Sequence, residues 1–368
     1  MSVLTLSFLV SLFSSFWLVR YSHLHVRHSG DYDISGIQKF HTTPVPRIGG
    51  VSILMGLIAA LSLRYSQNEP IGILGLLMIV SALPLFGAGL LEDFTKHVGV
   101  KYRLLAAVFS ALCAGFLVNA WLSSLQVLGV DDLMLTYPFI AIFITCFGVA
   151  GVSNAFNIID GYNGLSAVTA VIILSGIAYV AFKVTDHAIM IAAFAMIGAL
   201  LGFLVWNYPR GLIFLGDGGA YLVGFWIAEL SVLLTARHPE VSKWFPLLLC
   251  GYPIFETVFS IYRRILFKRV HPGLPDASHL HQLIYKRIVR WTVGGELEML
   301  NVQRNALTSP YLWIVSLMAV IPAVIFWRND PLLKLFSIFF MIFYIWLYMA
   351  IVRFKVPKCL IIKKNFPR

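Results

Sequence analysis

The chain has 368 residues, of which 59% are hydrophobic and 12% charged, with a mean hydropathy of +0.83. Soluble domains carry about 25% charged residues, so this composition excludes one and points to a polytopic membrane protein. The formal charge of +11 is not a nucleic-acid signature, because the basic residues fall in loops that would border an anionic leaflet.

A spanning helix needs about 20 mostly apolar residues. Runs of that kind predict about eleven spans, near residues 3–19, 48–63, 70–91, 103–121, 136–157, 164–182, 187–206, 218–235, 244–262, 310–327 and 331–352. Barrel-like alternation is absent, so helices must satisfy the backbone in lipid and the fold class is all-α. The first run has no basic segment before it and no small-residue cleavage site, and reads as an uncleaved span. Neither an internal repeat nor a low-complexity linker divides the chain. It is a single integral membrane domain, 1–368, with a long loop at 263–309.

Placing the N-terminus outside and alternating the loops puts 22 of the 28 Lys and Arg on the cytoplasmic side, all except Arg64, Lys183, Arg237, Lys243, Arg328 and Lys334. That is the expected bias, and it puts the C-terminus in the cytoplasm. The polar interruptions described next then share that face.

The first is the basic segment from Lys39 through Pro44-Val45-Pro46-Arg47-Ile48-Gly49-Gly50, which either anchors the second span or binds substrate. Next, Glu92 and Asp93 close an apolar run, with Lys96 one turn on. Two carboxylates at a helix C-terminus oppose the macrodipole, so a cation is expected to compensate them. Asn154, Asn157 and Asp160 follow at i, i+3 and i+6. That spacing keeps them on one side of a helix, and a polar side with an acid is costly in a membrane unless it lines a cavity. The Asp160-Gly161-Tyr162-Asn163-Gly164 turn ends that span.

In Phe214-Leu215-Gly216-Asp217-Gly218-Gly219, Asp217 opens a helix, where it either caps or binds a cation. The glycines on either side would let backbone amides approach an anion. Carboxylates beside a phosphate suit Mg2+. Glu229 and Glu256 lie inside apolar runs, where an acid is a functional candidate, although Glu256 could instead pair with Arg263 and Arg264. His279 and His281 follow a Pro/Gly-rich stretch, and at i and i+2 they converge only from an extended or turn backbone. A zinc site would need further ligands, for which His23, His25 and His28 are the sole source, so contact with phosphate is favoured. Cys113, Cys146, Cys250 and Cys359 have no CxxC spacing and read as packing residues.

In this order, Pro-x-Pro-Arg-x-Gly-Gly, Glu-Asp-x-x-Lys, Asn-x-x-Asn-x-x-Asp-Gly-x-Asn-Gly, Phe-Leu-Gly-Asp-Gly-Gly and His-x-His make the chain resemble the polyprenyl-phosphate N-acetylhexosamine-1-phosphate transferases, glycosyltransferase family 4, from about residue 39 to 290. The resemblance implies a bacterial inner-membrane enzyme with a cytoplasmic-face active site. It implies attack by undecaprenyl phosphate on a UDP-N-acetylhexosamine, release of UMP, and a lipid-linked sugar that initiates O-antigen or other surface polysaccharide. It also implies Mg2+, replaceable by Mn2+, held by Asp217 and Asp93. Catalytic roles fall on Asp93, Asp160, Lys96, His279 and His281, and substrate contacts on Glu92, Asn154, Asn157, Asn163, Arg103, Lys39, Arg47 and Glu256. Glu92, Asn163 and Gln282 depart from the usual Asp, Asp and His. A homodimer is left open.

Two alternatives remain. Transfer of phospho-MurNAc-pentapeptide is the nearer one, disfavoured by the Glu-Asp and His-Leu-His-Gln variants. An ion-coupled transporter would place acids near the bilayer midplane on interrupted helices, whereas the strongest acids here lie at one face.

Overall fold

The structure is a computed structural model that describes residues 2–31, 44–265, 278–289 and 298–353. Lys39, Cys359 and the Pro/Gly-rich stretch before Ser278 lie outside the described residues. The helices are α1 (Val3–Arg20), α2 (Ser22–Ser29), α3 (Gly49–Gln67), α4 (Glu69–Thr95), α5 (Val100–Val118), α6 (Val130–Thr136), α7 (Pro138–Ile159), α8 (Leu165–Lys183), α9 (His187–Asn207), α10 (Gly216–Arg237), α11 (Phe245–Leu249), α12 (Gly251–Arg263), α13 (Leu280–Ile284), α14 (Glu298–Ile325) and α15 (Asp330–Val352). A π-helical turn, Tyr285–Val289, continues α13. Among the described residues the only sheet is an antiparallel pair of two-residue strands, β1 (Gly30–Asp31) and β2 (Val45–Pro46).

Ten of the described helices are long and apolar enough to cross a membrane, one fewer than expected. The difference is the segment expected as a span at 244–262, which is two helices that meet at Cys250. Gly251 and Pro253 follow the break. Proline has no N–H to continue a ladder and is tolerated in a first turn, so α12 restarts there. Part of the expected 263–309 loop is also helical, because α14 begins at Glu298 rather than near 310.

The packing of α1 inverts the usual pattern. Its buried residues are Ser7, Ser11 and Ser15, while Phe13, Phe16 and Trp17 are exposed and its other apolar side chains only half-buried. Ser7 and Ser11 donate to the Ala195 and Ala199 carbonyls of α9, each at 2.7 Å, and Ser15 bonds Ser52 of α3 at 2.8 Å. In lipid no hydrophobic force joins apolar helices, so small residues and interhelical hydrogen bonds must do so.

At the centre stands α10, buried along almost its whole length and packed on α4 and α7. Glycines set its position: a Cβ added to Gly50 would lie 2.4 Å from the Gly219 Cα, and one on Gly89 would lie 2.7 Å from the Gly218 Cα. In α4, Pro84 breaks the ladder, and the Ser110 hydroxyl of α5 accepts the next N–H, that of Leu85, at 3.1 Å. This cross-bond fixes α5 against the half of α4 that ends in Asp93.

Candidate active site

Four chain segments meet at the start of α10. The extended stretch before α3 runs alongside the one before α10: Phe214 N–H donates to the Pro46 carbonyl, and Gly49 and Gly50 N–H donate to Phe214 and Leu215, all at 2.9 Å. This pairing carries Arg47 to Asp217. Gly216 has φ +76°, and an added Cβ would meet the Arg47 carbonyl at 2.1 Å, so a side chain is excluded there.

Asp217 does not cap its own helix. The N-cap residue is Leu215, which supplies no side-chain acceptor. The cap comes from α4, where Asp93 Oδ1 accepts the Asp217 N–H and Oδ2 the Gly218 N–H, both at 2.9 Å. The α10 dipole and Arg47, whose Nε lies 3.6 Å from Asp93 Oδ1, together compensate the acid at the end of α4. Asp93 is 1% exposed. It is therefore the buried cap of α10. Of the Gly216, Gly218 and Gly219 amides expected to face a phosphate, Asp93 takes that of Gly218, and Gly218 and Gly219 also serve close packing on Gly89 and Gly50.

Asp217 directs one oxygen to Arg47, at 3.1 Å, and the other to Arg103 in the first turn of α5. Arg103 also lies over the Tyr221 ring at 6.0 Å. Asp160, at the C-cap of α7, makes no hydrogen bond within the described residues, and the same holds for the half-buried amides of Asn154 and Asn157. Loss of solvation lifts the Asp160 carboxyl to about 8; Arg47 opposes the shift, and the charges of Asp217 and Asp93 add to it. An acid in that state accepts a cation readily.

His279 and His281 do converge, for the reason expected. His279 is the extended N-cap of α13 and His281 lies in its first turn, so their rings stack 5.2 Å apart at 3°. Gln282, where the family more often has histidine, closes the capping box by accepting the His279 N–H at 3.1 Å. His281 packs edge-on against Tyr162, and its Nε2 would sit 3.2 Å from a Cβ on Gly161, next to Asp160. The histidines thus lie against the turn that follows Asp160.

Other expected substrate contacts have structural roles. Glu92 accepts the Val98 N–H at 2.8 Å and closes the turn after α4. Asn163 is buried, and its amide donates to the Pro209 carbonyl at 3.0 Å. Glu256 does not reach Arg263; both its oxygens serve His279, Leu280 and Tyr344. Lys96 is exposed and ends α4 at φ +58°, an uncommon conformation for a residue with a side chain. Sequence reasoning missed Asn207, Asn305 and Ser309, which hold the 160–164 turn: Asn207 Oδ1 accepts the Gly164 N–H, Asn305 Oδ1 accepts the Asn163 N–H, and Ser309 donates to the Asn163 carbonyl. No local motif marks them.

The profile of glycosyl transferase family 4 matches residues 74–235, the stretch that holds Asp93, Asp160 and Asp217. A probable undecaprenyl-phosphate N-acetylglucosaminyl 1-phosphate transferase of Bacillus subtilis is 29% identical over 322 residues, covering 86% of this chain and 82% of that protein. The undecaprenyl-phosphate alpha-N-acetylglucosaminyl 1-phosphate transferase of Thermotoga maritima is 29% identical over 277 residues, 75% of this chain and 80% of its own length. The phospho-N-acetylmuramoyl-pentapeptide-transferase of Oceanobacillus iheyensis is 31% identical over 283 residues, 71% of this chain and 83% of its length. The chain belongs to glycosyl transferase family 4. It is a multi-pass membrane phospho-sugar transferase.

A divalent cation can be tested against this donor set. Asp217 and Asp160 are hard oxygen donors at the cluster, one paired with the guanidinium groups of Arg47 and Arg103 and the other with no side-chain hydrogen-bond partner among the described residues. These two fit Mg2+, which takes one or two carboxylates plus phosphate oxygens and water. Asp93, whose oxygens each hold one backbone amide, keeps a lone pair on each.

Proposed function

We propose that the protein transfers an N-acetylhexosamine 1-phosphate from a UDP-sugar to undecaprenyl phosphate, leaving UMP and an undecaprenyl-diphospho-sugar. The observation that carries this is the cluster of Asp160 and Asp217 with Arg47, Arg103, His279 and His281 at one end of the helices, in a chain of this family. Phosphoryl transfer needs little from a protein beyond in-line positioning and neutralisation of charge. Arg103 and Arg47 are movable partners of Asp217 and can turn to the diphosphate, while His279 and His281 approach it from the α13 side. Asn154 and Asn157 offer amides to the sugar or nucleotide. Asp160 can hold a proton near neutrality or release it as positive charge arrives. Lys96, exposed at the end of α4, adds basic charge. Asp217 and Asp160 would hold a magnesium ion, or manganese in its place, which would supply charge neutralisation to the diphosphate.

The product would be the lipid-linked sugar on which surface polysaccharide, such as O-antigen, is started. The distribution of Lys and Arg supports an inner-membrane protein with this cluster and the C-terminus in the cytoplasm and the N-terminus outside. Cysteines at Ser2 or Lys363, exposed to an impermeant reagent in intact cells, test that orientation: Ser2→Cys should label, and labelling of Lys363→Cys would overturn it.

A second reading, transfer of phospho-MurNAc-pentapeptide, is favoured by the 31% identity to relatives of that name. Membranes containing the protein, given undecaprenyl phosphate and a panel of UDP-sugars, separate the two. UMP release from UDP-GlcNAc or another simple UDP-N-acetylhexosamine supports the proposal. Release from UDP-MurNAc-pentapeptide alone would replace it with the second reading.

A further inference from the structure

Glu256 is a buried acid that transfer chemistry does not require. It is 1% exposed in α12, and both its carboxylate oxygens are engaged. Oε1 faces His279 Nδ1 at 3.0 Å and accepts the Leu280 N–H, also at 3.0 Å; Oε2 accepts the Tyr344 hydroxyl at 2.9 Å. Tyr344 is itself 1% exposed and lies on α15. Groups from α13 and α15 therefore converge on one carboxylate of α12, which faces the His279 imidazole. A buried carboxylate is costly unless paired and hydrogen-bonded, and a five-residue helix already closed by the His279 and Gln282 capping box needs no acid from another helix.

From this geometry we infer that Glu256 and Tyr344 are positioning residues for the transfer reaction, fixing the orientation and tautomer of His279. An ionised carboxylate only accepts hydrogen bonds, so Nδ1 of His279 carries the proton that faces Glu256. Its Nε2 is left as the nitrogen that meets substrate. The same division of labour operates where a carboxylate orients a catalytic or metal-bound histidine. Tyr344 prevents the carboxylate from rotating away. Because the His281 ring lies parallel to that of His279, fixing one ring constrains the other beside Gly161 and Asp160. Helix α15, well outside residues 74–235, thereby takes part in positioning the catalytic histidine.

The inference rests on the reading that His279 meets the diphosphate, and a double-mutant cycle on the full-length protein separates the two. UMP release and thermal unfolding are measured for Glu256→Gln, Tyr344→Phe, His279→Ala and the two doubles with His279→Ala. Glutamine keeps the size and an acceptor but removes the charge, so Glu256→Gln should lower kcat by about 10–100-fold, the range found when the partner of a metal-bound histidine is lost. Tyr344→Phe should lower it by about 10-fold or more, the factor for one hydrogen bond to an ionised group. KM should change little in either.

In the His279→Ala background both losses should shrink to less than about twofold, since groups acting through one residue are not additive. A slow His279→Ala enzyme in which both substitutions cost their full factors again would overturn the inference alone. A His279→Ala enzyme as fast as the unaltered one would overturn the functional reading and the inference with it. If Glu256→Gln does not fold, Tyr344→Phe, which removes one oxygen and no charge, decides by the same comparison.

Discussion

Asp93 accepts the Gly218 N–H at 2.9 Å, so an acid at the end of one helix is the cap of another. Since its second oxygen accepts the amide of Asp217 itself, the position of the cation-binding candidate depends on Asp93. Asp93→Asn can accept only one of the two amides. It should lose about 1–3 kcal/mol, the cost of leaving a buried donor unsatisfied, and turnover should fall with it. Thermal unfolding and UMP release on the same preparation check this. Full stability with abolished turnover would instead make Asp93 a chemical group.

Asp217→Asn should behave differently. Asp217 supplies no cap, so the variant should still insert and fold, with some stability lost where Arg47 and Arg103 give up their shared carboxylate. Removing the anionic oxygen should cut UMP release by about 10²–10³-fold, as for other electrostatic groups, with only partial rescue at high Mg2+ or Mn2+. Chelation by EDTA should abolish turnover of the unaltered enzyme and added Mg2+ restore it. Near-normal turnover of Asp217→Asn at low magnesium would move the cation site to Asp160.

Gly50 and Gly87 make a matched pair. A Cβ on Gly50 would come 2.4 Å from the Gly219 Cα, whereas a Cβ on Gly87 has nothing within 4 Å. Backbone cannot step aside as a side chain can, so Gly50→Ala should cost about 1–3 kcal/mol, as overpacking does. Gly87→Ala, within α4, should be neutral or stabilising by about 0.5–1 kcal/mol. Unfolding temperatures of the two variants in one detergent test the contrast.

The opposite end of the bundle has a pH-sensitive clasp. Burial works against ionisation of Asp186, but the Ile189 N–H, a hydrogen bond with His238 and the charge of Arg237 outweigh it and hold the carboxyl below its ordinary 3.8. The sign follows. A depressed carboxylate stabilises the fold above its unfolded value, and that stability is lost as pH falls through the lower folded value. The unaltered protein should therefore lose more stability below about pH 4 than Asp186→Asn, which can still cap α9. At neutral pH the substitution should cost about 1 kcal/mol or less, as for a partly exposed pair. Unfolding curves that keep a constant separation across the pH range would refute the clasp.

What the sequence determined by itself was whatever local chemistry dictates. Apolar runs of spanning length follow from the cost of unpaired backbone in lipid, and they located the ten long helices among the described residues. The segment at 244–262 misled because hydropathy does not register the break at Cys250. The site's carboxylates and histidines stood out because ionisable groups at the ends of apolar runs are uncommon without a role. Their duties were not legible. Sequence could not tell that Asp93 caps a helix 124 residues away, that Asp217 caps nothing, that Asn163 is spent on Pro209, or that Glu256 serves His279 rather than Arg263. Each depends on which donor lies within about 3 Å of which acceptor. Only the tertiary structure decides that, through glycine contacts such as Gly50 on Gly219 and seams such as Ser7 on Ala195, because residues far apart in the chain meet only once whole helices have packed.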